Sequence, residues 1–209
     1  MKRPLYKMVA YMLSCMGRER VLRETLSDLA ASDWDVAPTI EVDDCACHSR
    51  LLRQRMLARR ILERAVREGS EFVLLLEDDL KFNRNLRANL SRWPPLRAAH
   101  CGQHFFASLF NPGVSFRRLM PTIACAEAEP STVYGSQALI MSYTTARYFV
   151  NCWGVDSSAH LDLRLRQLAA RVCPILYHVP SLVQHRRETS TWGGPSICAL
   201  DFDRSWRVA

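Results

Sequence analysis

Lysine is almost missing from this chain: three lysines stand against 25 arginines in 209 residues. The positive charge, a net +7 with a pI near 9.2, is therefore carried by planar forks that suit phosphate and carboxylate, which points to an anionic partner. A GC-rich genome would produce the same bias, and the charge alone fits nucleic acid, an anionic membrane surface or a nucleotide diphosphate equally. Long apolar runs are also lacking, and none approaches the roughly 18–20 residues of a membrane span. The basic start MKRPLYK leads only into VAYMLSCM, which has no small-residue cleavage site and is followed at once by GRER. It reads as a first β-strand rather than a signal peptide, so a cytoplasmic location is expected. No C-x₂-C pair occurs. The eight cysteines are scattered without a paired framework, which favours reduced thiols over disulfides, and the group Cys45, Cys47 and His48 in DDCACHS has no matching second half for a zinc site. Repeats, low-complexity tracts and linkers are absent too. With 48% hydrophobic residues, the chain is expected to form one sizeable core and a single domain.

Against these absences stands FVLLLEDDLKF, residues 72–82, in which an apolar run meets three consecutive carboxylates, Glu77, Asp78 and Asp79. Neighbouring carboxylates raise one another's pKa unless a cation or a set of donors offsets them. A hard divalent ion, Mg²⁺ or Mn²⁺, prefers such oxygen ligands and is typically shared with substrate phosphates. The alternative is a helix cap, with Asp78 or Asp79 opening a helix near Leu80.

The first half alternates strand and helix patterns, as an α/β layer structure requires. Residues 7–14 read as a strand, 18–31 as an amphipathic helix, 38–43 as a second strand ending in Asp43 and Asp44, and 71–76 as a central strand. Between them, 49–68 carries Leu51, Ala58, Ile61, Leu62 and Ala65 on one helical face, with Arg53, Arg60, Arg64 and Arg67 on a flanking stripe and Gly69 as C-terminal cap. The stripe reads as a solvated face. Ligands of open α/β sheets sit at the carboxyl ends of the strands. Three strand ends here are polar, at residues 14–18, 43–44 and 77–79, and can share one crevice. In the second half, 104–110 and 136–142 read as strands, 157–171 as a helix with Asp162 in its first turns, and 174–184 as a last extended segment leading to His185.

The ordered set SCMGRER, VDD, the arginine-rich helix, FVLLLEDDLKF, YGSQALIMSYTTARYFV, HLDLRLRQL and VPSLVQHRRETSTW spans most of the chain. It resembles nucleotide-sugar-dependent glycosyltransferases of the GT-A type, and the acidic triplet resembles their D-x-D motif with Glu77 in place of the first Asp. The resemblance implies an α/β, single-domain, Rossmann-like GT-A fold with a mixed central sheet flanked by helices, residues 1–80 forming a nucleotide-binding half and 81–209 an acceptor-binding half. It implies that Asp79 binds Mn²⁺ or Mg²⁺, with Glu77 aiding and His185 completing the metal site. Ser14, Arg18, Asp43, Arg53 and Asp78 would hold a nucleotide-diphosphate sugar, expected to be a UDP-sugar, and Gly135, Ser136 and Gln137 would line its sugar. Asp162 would act as the general base of an inverting transfer.

For the acceptor, two readings stand. The first is the hydroxyl of a hydroxymethylated pyrimidine in DNA, as in phage DNA glycosylation, with the host cytoplasm as location if the chain is viral. Arg117, Arg118, Arg186, Trp153 and Trp192 would supply its phosphate contacts and base stacking. The second is a glycan or lipid-linked acceptor on an anionic surface. A non-catalytic nucleic-acid-binding module would keep the arginines but has no use for three carboxylates at a strand end.

Overall fold

The computed structural model describes residues 7–44, 48–99, 102–112, 125–128, 135–154, 160–186, 188 and 197–208. Nine strands and six helices are formed by them. In chain order they are β1 (Met8–Cys15), α1 (Glu19–Ala30), β2 (Thr39–Asp43), α2 (Arg50–Glu68), β3 (Phe72–Glu77), β4 (Leu80–Phe82), α3 (Leu86–Arg92), α4 (Pro94–Ala98), β5 (Phe106–Ser108), β6 (Cys125–Ala128), β7 (Ala138–Ser142), α5 (Tyr143–Asn151), α6 (Leu161–Ala169), β8 (Ile175–His178) and β9 (Val183–His185).

Seven strands make one sheet in the order β2-β1-β3-β7-β5-β8-β6. β1 runs parallel to β2 and β3, whereas β7 runs antiparallel to both β3 and β5, so the sheet is mixed. β3 reads FVLLLE because it is central: Val73, Leu74, Leu75 and Leu76 are all fully buried, and each such side chain contributes roughly 1.5–3 kcal/mol. Its alternate residues feed two cores. Val73 and Leu75 face a cluster with Leu57, Ile61, Leu62, Phe149 and Leu165 under α2, α5 and α6; Phe72, Leu74 and Leu76 face another with Leu29, Leu86, Leu90 and Trp93 under α1, α3 and α4.

Helix α2 shows why the sequence is helical there. Ser49 caps its start by accepting the Leu52 N–H, the apolar positions Leu57, Ala58, Ile61, Leu62 and Ala65 recur at helical spacing, and Gly69 ends it in the left-handed region at φ 63°. Two arginines of the stripe on its flank are paired, Arg64 with Glu41 and Glu68 and Arg53 with Asp43.

The chain does not open a helix after the acidic triplet. It forms β4, which pairs antiparallel with β9 in a separate two-stranded sheet, setting Leu80 opposite His185. This overturns the helix-cap reading of Asp78 and Asp79. The segment 174–184, expected as one strand, divides between the two sheets: β8 stays beside β5, and β9 leaves to join β4. Among the described residues, no helix is long and apolar enough to cross a membrane.

Candidate active site

Parallel pairing brings the carboxyl ends of β1, β2 and β3 to one edge of the sheet, with Cys15 opposite Asp43 and Leu13 opposite Glu77. Because β7 runs the other way, its entry at residues 135–137 arrives at the same edge, where the Glu77 N–H donates to the Gln137 carbonyl at 2.9 Å. The β4–β9 pair closes the fourth side, its register reinforced by the Arg186 N–H, which donates to the Asp79 carbonyl at 2.7 Å. Topology alone thus gathers residues from positions 14 to 185.

Each carboxylate of the triplet has a different neighbour. Asp78, 4% exposed, accepts from Ser14 Oγ at 2.6 Å and from Arg18 Nε at 2.8 and 3.0 Å. Burial raises its pKa, and the hydrogen bonds from Arg18 and Ser14 act against that rise. Asp79 accepts from Arg18 Nη2 at 2.7 Å through Oδ2, and the same oxygen lies 3.2 Å from His185 Nε2. Glu77 accepts from Ser136 Oγ at 2.6 Å. Burial, with the charge of Asp79 added, pushes the Glu77 carboxyl up to about 7 despite that bond. For His185 burial acts to lower the pKa, but the hydrogen bond and charge of Asp79 outweigh it and the net shift is upward.

The set is short of positive charge. Asp79 Oδ1 and His185 Nδ1 are buried without a hydrogen-bond partner among the described residues, although a buried polar atom left unpaired costs about 1–3 kcal/mol. Glu77, Asp79 and His185 each offer one ligand atom, and these atoms lie within 4.8 Å of one another. Two oxygens and one imidazole nitrogen suit a divalent ion of the Mn²⁺ or Mg²⁺ kind. The residues present fit the ion that the resemblance implied.

The remaining expected residues divide. Ser14, Arg18, Asp78 and Ser136 lie in this network, but they contact the carboxylates themselves. Asp43 pairs with Arg53 at 3.4 Å beside β1. Gly135 sits at φ 87°, and a Cβ there would come within 2.1 Å of Gln137 Oε1, so glycine lets the loop fold back onto its own glutamine. Asp162 reaches the same loop: its Oδ2 accepts the Gly135 N–H at 2.9 Å and its Oδ1 accepts the Leu163 N–H at 2.8 Å. Arg117, Arg118 and Trp192, like Cys45 and Cys47, lie outside the described residues.

Two expectations are corrected. Trp153 is not an exposed ring for base stacking; at 4% exposure it is packed into the core under α5 and α6. Arg186 turns its guanidinium onto the protein's own backbone rather than outward. Its Nε donates to the Leu80 carbonyl and its Nη2 to the Glu24 carbonyl, which locks β4 to α1. Both were read from residue type, and neither burial nor partner is visible at that level. Sequence reasoning also missed Phe110, whose ring lies 6.5 Å from that of His185; a single phenylalanine 75 positions upstream leaves no spacing signal.

No protein-family model matches the sequence, and no curated protein matches it. Among solved structures, A197 from STIV aligns with a TM-score of 0.50 over 97% of this chain and 98% of that one, at 11% identity. The two share an α/β architecture, and the mixed central sheet flanked by helices is the one expected from the sequence. At that identity the likeness is one of fold alone. A glycosyltransferase involved in the glycosylation of the major capsid of PBCV-1 aligns with a TM-score of 0.45 at 13% identity, covering 87% of this chain and 94% of that one. A mannose-1-phosphate geranyltransferase from Thermus thermophilus follows at 0.40 and 13%, covering 82% and 73%. Both are too distant to carry weight. On this mixed sheet the acidic cluster occupies the carboxyl ends of β1, β2 and β3, where ligands of open α/β folds bind.

Proposed function

We propose that this protein is a metal-dependent glycosyltransferase that moves a sugar from a nucleotide-diphosphate donor, a UDP-sugar in the first instance, to an acceptor hydroxyl. The observation that carries the reading is the Glu77–Asp79–His185 cluster at a strand end, in which Asp79 Oδ1 has no hydrogen-bond partner among the described residues. Glu77, Asp79 and His185 would hold the divalent ion, which supplies charge neutralisation for a departing diphosphate. Arg18 places a permanent positive charge beside it, and Ser14 orients Asp78. The acceptor oxygen attacks the anomeric carbon, the bond to the diphosphate breaks, and the acceptor proton passes to a carboxylate.

Asp162 is the candidate for that base. It holds the loop bearing Ser136, and with one N–H on each oxygen it retains lone pairs for a proton. One base without a second nucleophile suits single displacement with inversion. The DNA acceptor rests on the +7 charge and on Arg117, Arg118 and Trp192, since Trp153 and Arg186 no longer support it. A duplex carrying hydroxymethylpyrimidine, offered against a glycan acceptor, tests it directly: labelled sugar on the DNA is expected, and label on the glycan alone removes DNA from the reading.

Thermal denaturation with UDP-, GDP- and other nucleotide sugars, with and without Mn²⁺, tests the reading as a whole. A donor that binds only the folded state at about 100 times its Kd adds about 2.7 kcal/mol. Metal-dependent stabilisation by one donor, abolished in Asp79→Asn, is the expected result. Stabilisation by no donor, with Mn²⁺ present, would sink the proposal.

A further inference from the structure

The described cation nearest the proposed metal ligands is part of the chain itself. Arg18 stands just after β1, beyond the turn at Gly17, and its guanidinium spans two members of the acidic triplet. Nε meets both oxygens of Asp78, while Nη2 reaches Asp78 Oδ1 at 2.8 Å and Asp79 Oδ2 at 2.7 Å. That last oxygen is also the one 3.2 Å from His185 Nε2. A carboxylate oxygen engaged by a guanidinium N–H is a poorer ligand, and a fixed positive charge at this distance repels a divalent ion entering the same cluster.

We propose that Arg18 is a built-in competitor for the metal: its fork holds Asp79 in the free protein, and the divalent ion gains full access only when an anionic diphosphate draws the guanidinium away. The inference rests on the metal-site reading above. The exchange is chemically matched. A guanidinium fork pairs as well with phosphate oxygens as with carboxylate, and Ser14 keeps Asp78 in place at 2.6 Å when the fork leaves. Asp79, by contrast, has an Oδ1 without a hydrogen-bond partner among the described residues, ready to complete a ligand set. Metal and diphosphate therefore bind cooperatively through one side chain, and by linkage each raises the affinity of the other equally. The free protein would not collect divalent ions without a donor.

The test reads metal binding rather than turnover. Free Mn²⁺ is titrated with protein and followed by its paramagnetic resonance signal, in the absence of any nucleotide, for wild type, Arg18→Gln and Arg18→Lys. Arg18→Gln is expected to bind Mn²⁺ about tenfold more tightly than wild type, within the usual range of coupling between sites. Arg18→Lys, which keeps the charge but loses the fork, is expected to fall between them and covers the case in which Arg18→Gln fails to fold. Arg20→Gln, two residues along in the first turn of α1, serves as a control, because Arg20 is exposed and pairs only with Glu24 and Glu188 among the described residues. If both Arg18 variants bind Mn²⁺ no more tightly than wild type, the competitor role is overturned while the metal site stands. If Mn²⁺ binds none of these proteins, or binds Arg18→Gln undiminished after Asp79→Asn is added, the metal site itself is overturned and the inference with it.

Discussion

His178 shows how far one buried side chain can set the acid limit of the whole protein. It lies 1% exposed at the end of β8, its ring 4.9 Å from that of Trp93 and 5.7 Å from that of Trp206, with Nδ1 donating to the Pro180 carbonyl at 2.7 Å. Burial pulls its pKa down to about 4, against an ordinary value near 6.5, even though the bond to Pro180 acts the other way. Above pH 6.5 both folded and unfolded chains carry it neutral and it costs nothing. Between about 6.5 and 4 the unfolded chain binds a proton at this site that the folded chain refuses, so the contribution of His178 to stability drops as the pH is lowered across that window, by about 3 kcal/mol in all. Urea denaturation at a series of pH values reads it as the difference between wild type and His178→Phe, because the Glu77 carboxyl, pushed up to about 7, acts with the opposite sign over the same window in both proteins. An unchanged slope would place the titrating group elsewhere. Residue scale is also where the sequence was least legible. FVLLLEDD announces a buried strand ending in charge, and His185 follows from a resemblance, but nothing in the string tells that Trp153 is buried or that Arg186 turns back onto α1.

At the scale of elements, periodicity succeeded where it had length to work with. α2 and the strands β1, β2, β3 and β7 fall within a residue or two of their expected bounds, because each repeats an apolar pattern long enough to be unambiguous. β4 and β9, three residues each, are too short for any period; they exist because they pair with one another and because α1 covers the free edge of β4. That cover is specific. Thr25 Oγ1, fully buried on α1, accepts the Leu80 N–H at 3.1 Å, and Asp28 Oδ1 accepts the Phe82 N–H at 2.8 Å, so a helix stands in for a neighbouring strand. Thr25→Val keeps the shape but strips the acceptor, leaving a buried N–H unpaired. A loss of about 1–3 kcal/mol in denaturant is expected, together with faster hydrogen exchange at Leu80. A loss below the error of the measurement would mean that water or another acceptor reaches that N–H. The consequence extends to the candidate site, because Asp79 is the residue before Leu80 and its carbonyl accepts the Arg186 N–H.

At the scale of the whole molecule, the segment after Cys198 meets residues from the middle of the chain, at 83–92, and the stretch 181–184 that leads to His185. The segment 199–208 has no regular secondary structure, yet it is tied down along its length. Gln184, next to His185, exchanges two hydrogen bonds with the backbone of Ala199, at 2.8 and 2.9 Å. Asp201 accepts from Ser181 Oγ at 2.6 Å, and Asn83, Asn85 and Asn89 donate to backbone carbonyls between Asp203 and Trp206. Trp206 packs against the core cluster that holds Trp93 and Leu90. These asparagines lie between the end of β4 and the middle of α3, far in the sequence from the carbonyls that they satisfy. Sequence reading passed over them for that reason, since Asn83 and Asp203 are 120 positions apart. Removing everything after Cys198 would leave Asn83 and Asn89, both at most 1% exposed, without the carbonyls they donate to, and would uncover the apolar surface beneath Trp206. Each stranded group costs about 1–3 kcal/mol, a total comparable with the roughly 5–15 kcal/mol that holds a domain folded. The truncated protein is therefore expected to be insoluble or to melt far below the full chain by circular dichroism. If it instead folds with an unchanged melting temperature, the tail is dispensable to the core. A chain ending at Arg207 restores every anchor from Ala199 to Trp206: recovery shows that these suffice, and continued loss assigns the remainder to Val208, whose N–H donates to Asn89 Oδ1 and whose carbonyl accepts from Arg92.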